Sequence, residues 1–452
     1  MNTVFQNQKT FFNSNQTKSV EFRKQQLRKL KKILKENEPL LFDAIYLDFK
    51  KAKFETYTTE LSLLYSEIET ALSKLNSWSK KKRVSTNLAN FPAKSYIIPE
   101  PLGTVLIIGA WNYPYQLAIA PAIAALTAGN TVILKPSEIA AHSSAIMAKI
   151  INEAFDATVF YVQEGAVEET TTLLELPFDK IFFTGSTQVG KIVYQAAAKN
   201  ITPVTLELGG KSPTFICKDA NLKMAAKRMV WAKFLNAGQT CIAPDYVLVE
   251  ETVKDAFLKE VIREIEKMDY CIANENYVQI INDKNFERLE KLIDPSKIYF
   301  GGKTDKPERI IYPTILHNCT FDDLVMQEEI FGPILPIISY SNLDEAIGKV
   351  KGREKPLSCY VFTSSSEIQN KIENELSFGG GAINDAVMHI SNDKMPFGGV
   401  GASGMGNYHG KFGFDTFSHF KSILNKPTWL EFDFKYAPYT DWKQKIIKML
   451  LG

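Results

Sequence analysis

Between residues 105 and 208 the chain repeats one pattern. Short runs of β-branched and aromatic residues (105–108, 131–134, 159–162, 181–183 and 204–208) alternate with stretches of helical character. Strands this short and this apolar are buried on both faces, and strands separated by helices pair in parallel. The pattern therefore predicts an α/β fold with a doubly wound, Rossmann-type sheet, with ligands bound in loops at the carboxyl ends of its strands. A second series (215–217, 246–249, 334–338 and 359–362) begins after Gly209-Gly210 and predicts a second α/β domain. Ahead of both, residues 19–78 place Leu27, Leu30, Ile33 and Leu34, then Leu61, Leu64, Ile68, Leu72 and Leu75, at helical spacing. That predicts two or three amphipathic helices, with one start at Asn37-Glu38-Pro39, because proline suits a first turn. The basic run at 80–83 reads as a solvated face before a linker.

A chain of 452 residues exceeds what one core holds, about 250–300 residues, so two or three domains are expected. The 53 Lys and Arg nearly balance the 51 Asp and Glu, and a net charge of +2 gives no reason for a nucleic-acid partner. Small metabolites are the better expectation. Cys217, Cys241, Cys271, Cys319 and Cys359 contain no CxxC pair and are odd in number, which argues against a disulfide framework and against a metal site, and fits a reducing cytoplasm. The polar start (Asn2, Gln6, Asn7, Gln8) lacks the order of a secretion signal. The most apolar stretch, 105–134, is interrupted by Gly109, Asn112, Pro114, Gln116, Pro121 and Gly129, so it reads as strand, loop, helix and strand rather than a membrane span.

Several loops carry candidate chemistry. Asn236-Ala237-Gly238-Gln239-Thr240-Cys241 sets a thiol after small and turn-forming residues, as for a nucleophile; the plain alternative is a buried, inert cysteine. The other four cysteines lack such a setting and are assigned to structure. Glu207 ends an apolar strand that runs into Gly209-Gly210-Lys211, where a charge is costly unless it is used as a base or paired with Lys211. Phe183-Thr184-Gly185-Ser186-Thr187-Gln188-Val189-Gly190 joins a strand to a helix whose free amides suit a phosphate, or is only a helix cap. Lys135-Pro136-Ser137-Glu138 follows another strand and suits ribose hydroxyls, or is a surface turn. Asn112, in Ala110-Trp111-Asn112-Tyr113-Pro114, either aims amide donors at an oxyanion or caps the next helix.

Taken in order, Phe-Thr-Gly-Ser at 183–186, Glu-Leu-Gly-Gly-Lys at 207–211, Gly-Gln-Thr-Cys at 238–241 and Glu328-Glu329-Ile330-Phe331-Gly332-Pro333 make the chain resemble the aldehyde dehydrogenase superfamily. A short region before the first strand, and the ending Pro396-Phe397-Gly398-Gly399 through Asn407-Tyr408-His409-Gly410-Lys411, favour the class 3 branch, which includes fatty aldehyde dehydrogenases. The resemblance implies a fold with an NAD(P)-binding domain at 1–83 and 101–209, a catalytic domain at 210–411, and a bridging oligomerisation arm with tail at 84–100 and 412–452. Cys241 would be the nucleophile, Glu207 the base that hydrolyses the thioester, and Asn112 with the Cys241 amide the oxyanion donors. Lys135 and Glu138 would meet the adenosine ribose, Gly185, Ser186, Val189, Gly190 and Leu208 the pyrophosphate turn and its surroundings, and Glu329 and Phe331 the nicotinamide ribose. Tyr113, Trp231, Leu235 and Thr240 flank the catalytic loops and would line an apolar substrate tunnel.

The implied reaction is NAD(P)-dependent oxidation of a medium- or long-chain aliphatic or aromatic aldehyde to its acid, by a homodimer. Glu138 should repel a 2′-phosphate and favour NAD, although class 3 relatives accept NADP as well. A CoA-acylating or reductase relative and a non-catalytic binding protein are the alternatives; Glu207 argues against the first and Cys241 against the second. Residues 442–452 are too short to cross a bilayer and suit an amphipathic cap or a contact with a membrane surface.

Overall fold

The five apolar runs do form a parallel sheet. In a computed structural model describing residues 1–451, they are Thr104–Ile108, Thr131–Lys135, Phe160–Val162, Lys180–Thr184 and Val204–Glu207. Their spatial order places Thr104–Ile108 between Lys180–Thr184 and Thr131–Lys135. The chain winds outward one way to Phe160–Val162, then returns to wind the other way to Val204–Glu207. The switch point lies between the first and fourth strands, and ligand crevices form there because the two following loops diverge. Those loops carry Asn112 and Gly185. A sixth strand, Gly404–Met405, closes the edge antiparallel, with Gly404 opposite Glu207.

The second series supplies Pro213–Ile216, Tyr246–Glu250, Ile334–Tyr340 and Ser358–Phe362 to a seven-stranded sheet, which Ile298–Phe300, Thr314–Leu316 and Gly380–Ile383, not named in that series, complete. All its pairings are parallel except that of the edge strand Ile298–Phe300. A third, antiparallel sheet joins Lys82–Val84, Lys94–Pro101 and Ser418–Asn425. The basic run is a solvated face, as expected, and its last residues form the exposed strand Lys82–Val84. Asn130 ties this sheet to the first one: its amide donates to the carbonyls of Ala125 and Phe417, and its oxygen accepts from Gly103 N–H.

The helical N-terminus is richer than its apolar spacing predicts. Val20–Glu36, Glu38–Phe49 and Ser62–Trp78 match the expected pattern, and Pro39 does sit in a first turn. A further helix, Asn2–Asn13, comes from the stretch that reads only as polar. It binds by few but buried groups: Phe5 packs edge-on to Phe178, and Gln8 donates to the carbonyls of Val132 and Ala157. The helix Asp441–Leu451 lies against residues 88–90, beside the three-stranded sheet. Among the described residues, no helix is long and apolar enough to cross a membrane.

One cap joins the N-terminal helices to the sheet domain. Helix Ala141–Ala154 has no capping side chain of its own, and Asp48 supplies one, accepting from His142 N–H at 3.0 Å and Ser143 N–H at 2.8 Å. Replacing such a cap by alanine costs about 1–2 kcal/mol. Asp48→Ala should therefore lower the thermal midpoint, with Asp48→Asn losing less, as scanning calorimetry would show; an unchanged midpoint in Asp48→Ala would remove this role.

Candidate active site

A cleft of about 1190 Å³ opens at the switch point and runs between the two large sheets. Its walls contain Asn112, Lys135, Glu138, Gly185, Ser186, Val189, Glu207, Leu208, Cys241, Glu329 and Phe331, so residues far apart in the chain share one space. Gly190 is off the wall. A Cβ there would come within 2.7 Å of Leu208 Cδ2, so its lack of a side chain lets the helix Thr187–Ala198 approach the wall residue. Tyr113, Trp231, Leu235 and Thr240 also lie off this cleft. Tyr113 and Thr240 are buried and hydrogen-bonded to each other at 2.6 Å, underneath the cysteine loop, and Trp231 is partly exposed on helix Leu222–Phe234.

The cysteine loop owes its shape to amides. Asn236 and Ala237 adopt left-handed backbone angles (φ 53° and 49°), unusual for residues with side chains. Gln239 holds the turn. Its carbonyl accepts from Asn112 Nδ2 at 3.0 Å and Asn236 Nδ2 at 3.1 Å, and its amide donates to the carbonyls of Asn236 and Gln279. Its Oε1 accepts from Ile281 N–H. Asn112 therefore does not cap the next helix: it is buried, one Nδ2 hydrogen goes to the loop of Cys241, and the other is left for an oxygen in the cleft. The helix Gln116–Ala128 is capped instead by Glu60, whose Oε2 accepts from Tyr115 N–H at 2.7 Å and Gln116 N–H at 3.3 Å. Lys51 completes this buried layer, 3.1 Å from Glu60 and 4.2 Å above the Tyr113 ring. Sequence reasoning passed over Gln239, Lys51 and Glu60, although the two charges stand out beside apolar helix faces.

Glu207 is not paired with Lys211. That lysine is bound to Asp245 and to the carbonyls of Val325 and Glu328, so it staples the loop before Glu329. Both carboxylate oxygens of Glu207 are buried without a hydrogen-bond partner, and desolvation raises its pKa well above the ordinary value. Glu329 is raised to about 8, first by burial and then by Asp245. A Cβ on Gly209 would meet the Glu329 carboxylate at 1.9 Å, so only glycine leaves that acid its place. Burial, followed by the nearby Glu329 and Glu207, pushes the Cys241 thiol up to about 12. These surroundings favour the thiol over the thiolate.

The remaining walls suit a dinucleotide. Ser186 caps the helix Thr187–Ala198 by accepting from Val189 N–H, and the first turn of a helix leaves further amides free for a phosphate, so the cap and phosphate readings are compatible. Lys135 is buried rather than in a surface turn, bound to Pro136 O at 2.7 Å and to the half-exposed Glu138 at 3.3 Å. At the cysteine end, Phe331 meets Trp111 edge-on at 5.3 Å. Among the described residues no His, Cys, Asp and Glu cluster suits a metal ion.

A doubly wound sheet and a dinucleotide-sized cleft lined by both Cys241 and Glu207 are the setting of a nucleotide-dependent oxidoreductase. The model of the aldehyde dehydrogenase family matches residues 2–423, and the chain belongs to that family, whose cofactor is NAD(P). It is 51% identical over 449 residues to the 4,4′-diaponeurosporen-aldehyde dehydrogenase of Staphylococcus aureus, covering 98% of this chain and 97% of that one. It is 44% identical over 417 residues to the dimeric NADP-preferring aldehyde dehydrogenase of Rattus norvegicus, covering 92% of each. Among solved structures, the substrate-bound state of S. aureus AldH superposes with a TM-score of 0.98 at 50% identity, covering 100% of this chain and 99% of that one.

The upward shift of the Cys241 thiol sets a direct test. Alkylation follows the thiolate, so iodoacetamide labelling of the Cys241 peptide in the free protein should rise about tenfold per pH unit between roughly pH 7 and 10 without levelling. Peptide mass spectrometry reads the rate, and a plateau near pH 8 would show a thiolate already present.

Proposed function

We propose that the chain oxidises an apolar aldehyde to the carboxylic acid through an acyl group held on Cys241. The observation that carries this reading is the meeting of Cys241, Asn112 and an unpartnered Glu207 on one cleft wall. The Cys241 sulfur bonds the carbonyl carbon as its proton passes to a water in the cleft, and the carbonyl oxygen takes the negative charge as the C=O π bond opens. The free Asn112 N–H and the Cys241 backbone amide stabilise that oxygen. Bound NAD(P) supplies the hydride acceptor. The resulting thioester is opened by a water molecule: its oxygen bonds the acyl carbon, Glu207 takes one of its protons, the C–S bond breaks, and the sulfur takes the other proton, so that the carboxylate leaves as the thiol reforms. A general base of this kind contributes about a hundred- to ten-thousandfold. Glu207 is what favours water over coenzyme A as the acceptor.

Lys135 and Glu138 are assigned to the adenosine ribose, the 185–190 turn to the pyrophosphate, and Glu329 with Phe331 to the nicotinamide ribose. Substrate specificity beyond an apolar aldehyde rests on the aromatic and apolar groups around the cysteine loop, with Tyr113, Trp231, Leu235 and Thr240 as its far side. The S. aureus relative is named for 4,4′-diaponeurosporen-aldehyde, which is one candidate; medium and long aliphatic aldehydes and aromatic aldehydes are the others. The three-stranded sheet and the helix Asp441–Leu451 are assigned to a homodimer, in line with the name of the rat relative. A membrane surface is the second role open to that helix, because it bears Lys445 and Lys448 beside Trp442 and Met449 on its exposed side.

Glu207→Gln should release close to one NADH per site in a burst and then turn over about a hundredfold or more slowly, with acylated Cys241 visible by intact-protein mass spectrometry. Full steady-state turnover would sink the hydrolytic role. For the cofactor, Glu138→Gln should lower KM for NADP several-fold relative to NAD, since it removes a negative charge from the ribose site; an unchanged ratio in initial-rate kinetics would take Glu138 out of that choice.

A further inference from the structure

Reading Asn112 as the oxyanion donor raises the question of what fixes its free N–H relative to the Cys241 sulfur. An asparagine side chain turns about two bonds, and a donor misplaced by about 1 Å can cost a hundredfold in rate. Asn112 is held at two points, and both holders belong to the cysteine loop. Its Nδ2 donates to Gln239 O at 3.0 Å, which fixes the amide group, and its backbone carbonyl accepts from Asn236 Nδ2 at 2.9 Å. Asn236 Nδ2 also reaches Gln239 O, at 3.1 Å. Asn236 thus bridges the backbone of one loop to the backbone of the other.

The bridge stands in a backbone state that its surroundings must enforce. Asn236 has a φ of 53°, in the left-handed region, and its Oδ1 is buried without a partner. Glu55 supplies the enforcement, because its Oε1 accepts from Asn236 N–H at 2.9 Å. It projects from the short helix Lys53–Thr56, on which Lys53 and Phe54 are exposed.

The same stretch of chain grips the other loop. Beyond Thr56 it continues through a π-turn, Tyr57–Leu61, in which Ser62 N–H bonds the carbonyl of Tyr57; such turns are rare and gather at functional sites. Glu60 lies in that turn. It accepts from Tyr115 N–H and Gln116 N–H, just after Asn112, and pairs with Lys51, whose Nζ donates to Asn112 O at 3.5 Å. Residues 51–60 therefore hold the Asn112 loop by Lys51 and Glu60 and the cysteine loop by Glu55. Holding either loop would serve stability, whereas holding both from one segment fixes the interval between them.

We propose that Glu55 and Asn236 are positioning residues for the oxyanion donor: acting through them, the segment 51–60 sets the Asn112 amide at its working distance from Cys241. The inference rests on the reading of Asn112 as that donor. Neither Glu55 nor Asn236 lies on the cleft wall, so each acts through Asn112.

The test is stopped-flow kinetics of the full-length enzyme with NAD and hexanal, beside two measurements that involve no oxyanion. These are NADH affinity by fluorescence titration and the rate of Cys241 alkylation by iodoacetamide, which the sulfur attacks at a saturated carbon. Asn236→Gly stays within the backbone range of glycine and removes both amide hydrogens. It should slow the NADH burst at least about tenfold, with NADH affinity and alkylation rate within about twofold of wild type. Glu55→Ala should slow the burst at least about fivefold, and Glu55→Gln, whose Oε1 still accepts from Asn236 N–H, should restore most of it. In an Asn112→Ala background, where the donor is gone, Asn236→Gly should cost no more than about a further twofold. A wild-type burst in Asn236→Gly or in Glu55→Ala would overturn the proposal. So would equal losses in all three measurements, which mark a structural role, or fully multiplied losses in the double variant, which mark independent routes. Asn112→Ala with a wild-type burst would remove the donor itself and the proposal with it, whereas a slow Asn112→Ala beside a fast Asn236→Gly would remove only the positioning.

Discussion

The reactive end of this molecule hangs on the hydrogen bonds of Gln239. Its carbonyl gathers two side-chain amides and its own amide reaches two carbonyls, so the loop bearing Cys241, the loop bearing Asn112 and the segment at 279–281 are fixed to one another. A buried amide network specifies one geometry, and in this one the Oδ1 of Asn236 alone is left buried without a partner among the amide groups named. The left-handed angles at Asn236 and Ala237 persist because that network and the Glu55 carboxylate on Asn236 N–H over-determine them. Behind it, Lys51 and Glu60 form a buried ion pair whose carboxylate also caps a helix. Breaking such a pair leaves a lone buried charge, so the layer resists drift.

Against this rigid frame stand acids held in poor electrostatic settings. Glu207 has no partner, and Glu329 has a like-charged neighbour in Asp245. Lys233 is buried nearby and lowered to about 8 by desolvation. Sites that violate the rule of paired buried charge are where function is concentrated. Burial, Glu329 and Glu207 all push the Cys241 thiol upward, and a cation arriving in the cleft would act in the opposite direction.

The large-scale fold was legible because burial on both strand faces writes a continuous apolar run, and strand ends fell within one or two residues of those runs. The helix Asn2–Asn13 was not, since it is anchored by Phe5 and by the amide of Gln8, which carry no periodic signal. At the site, Cys241 and Glu207 were visible as reactive or costly residues in unusual company. The roles of Asn112 and Lys211 depended on partners 127 and 34 residues away, and local spacing left both open. Gly190 was legible as a turn glycine, but its contact with Leu208 belongs to packing between elements.

The edge strand Gly404–Met405 has a consequence for how the chain comes into being. Glu207 sits on the last parallel strand of its sheet, and the backbone that closes that edge is made almost two hundred residues later in synthesis. The strand Ser418–Asn425, which pairs with Lys94–Pro101, comes later still. Contacts so distant in sequence form slowly, and a growing chain carries its open sheet edge until they do. A ribosome-bound fragment ending before residue 404 would thus hold both Cys241 and Glu207, with the strand of Glu207 still lacking its antiparallel neighbour.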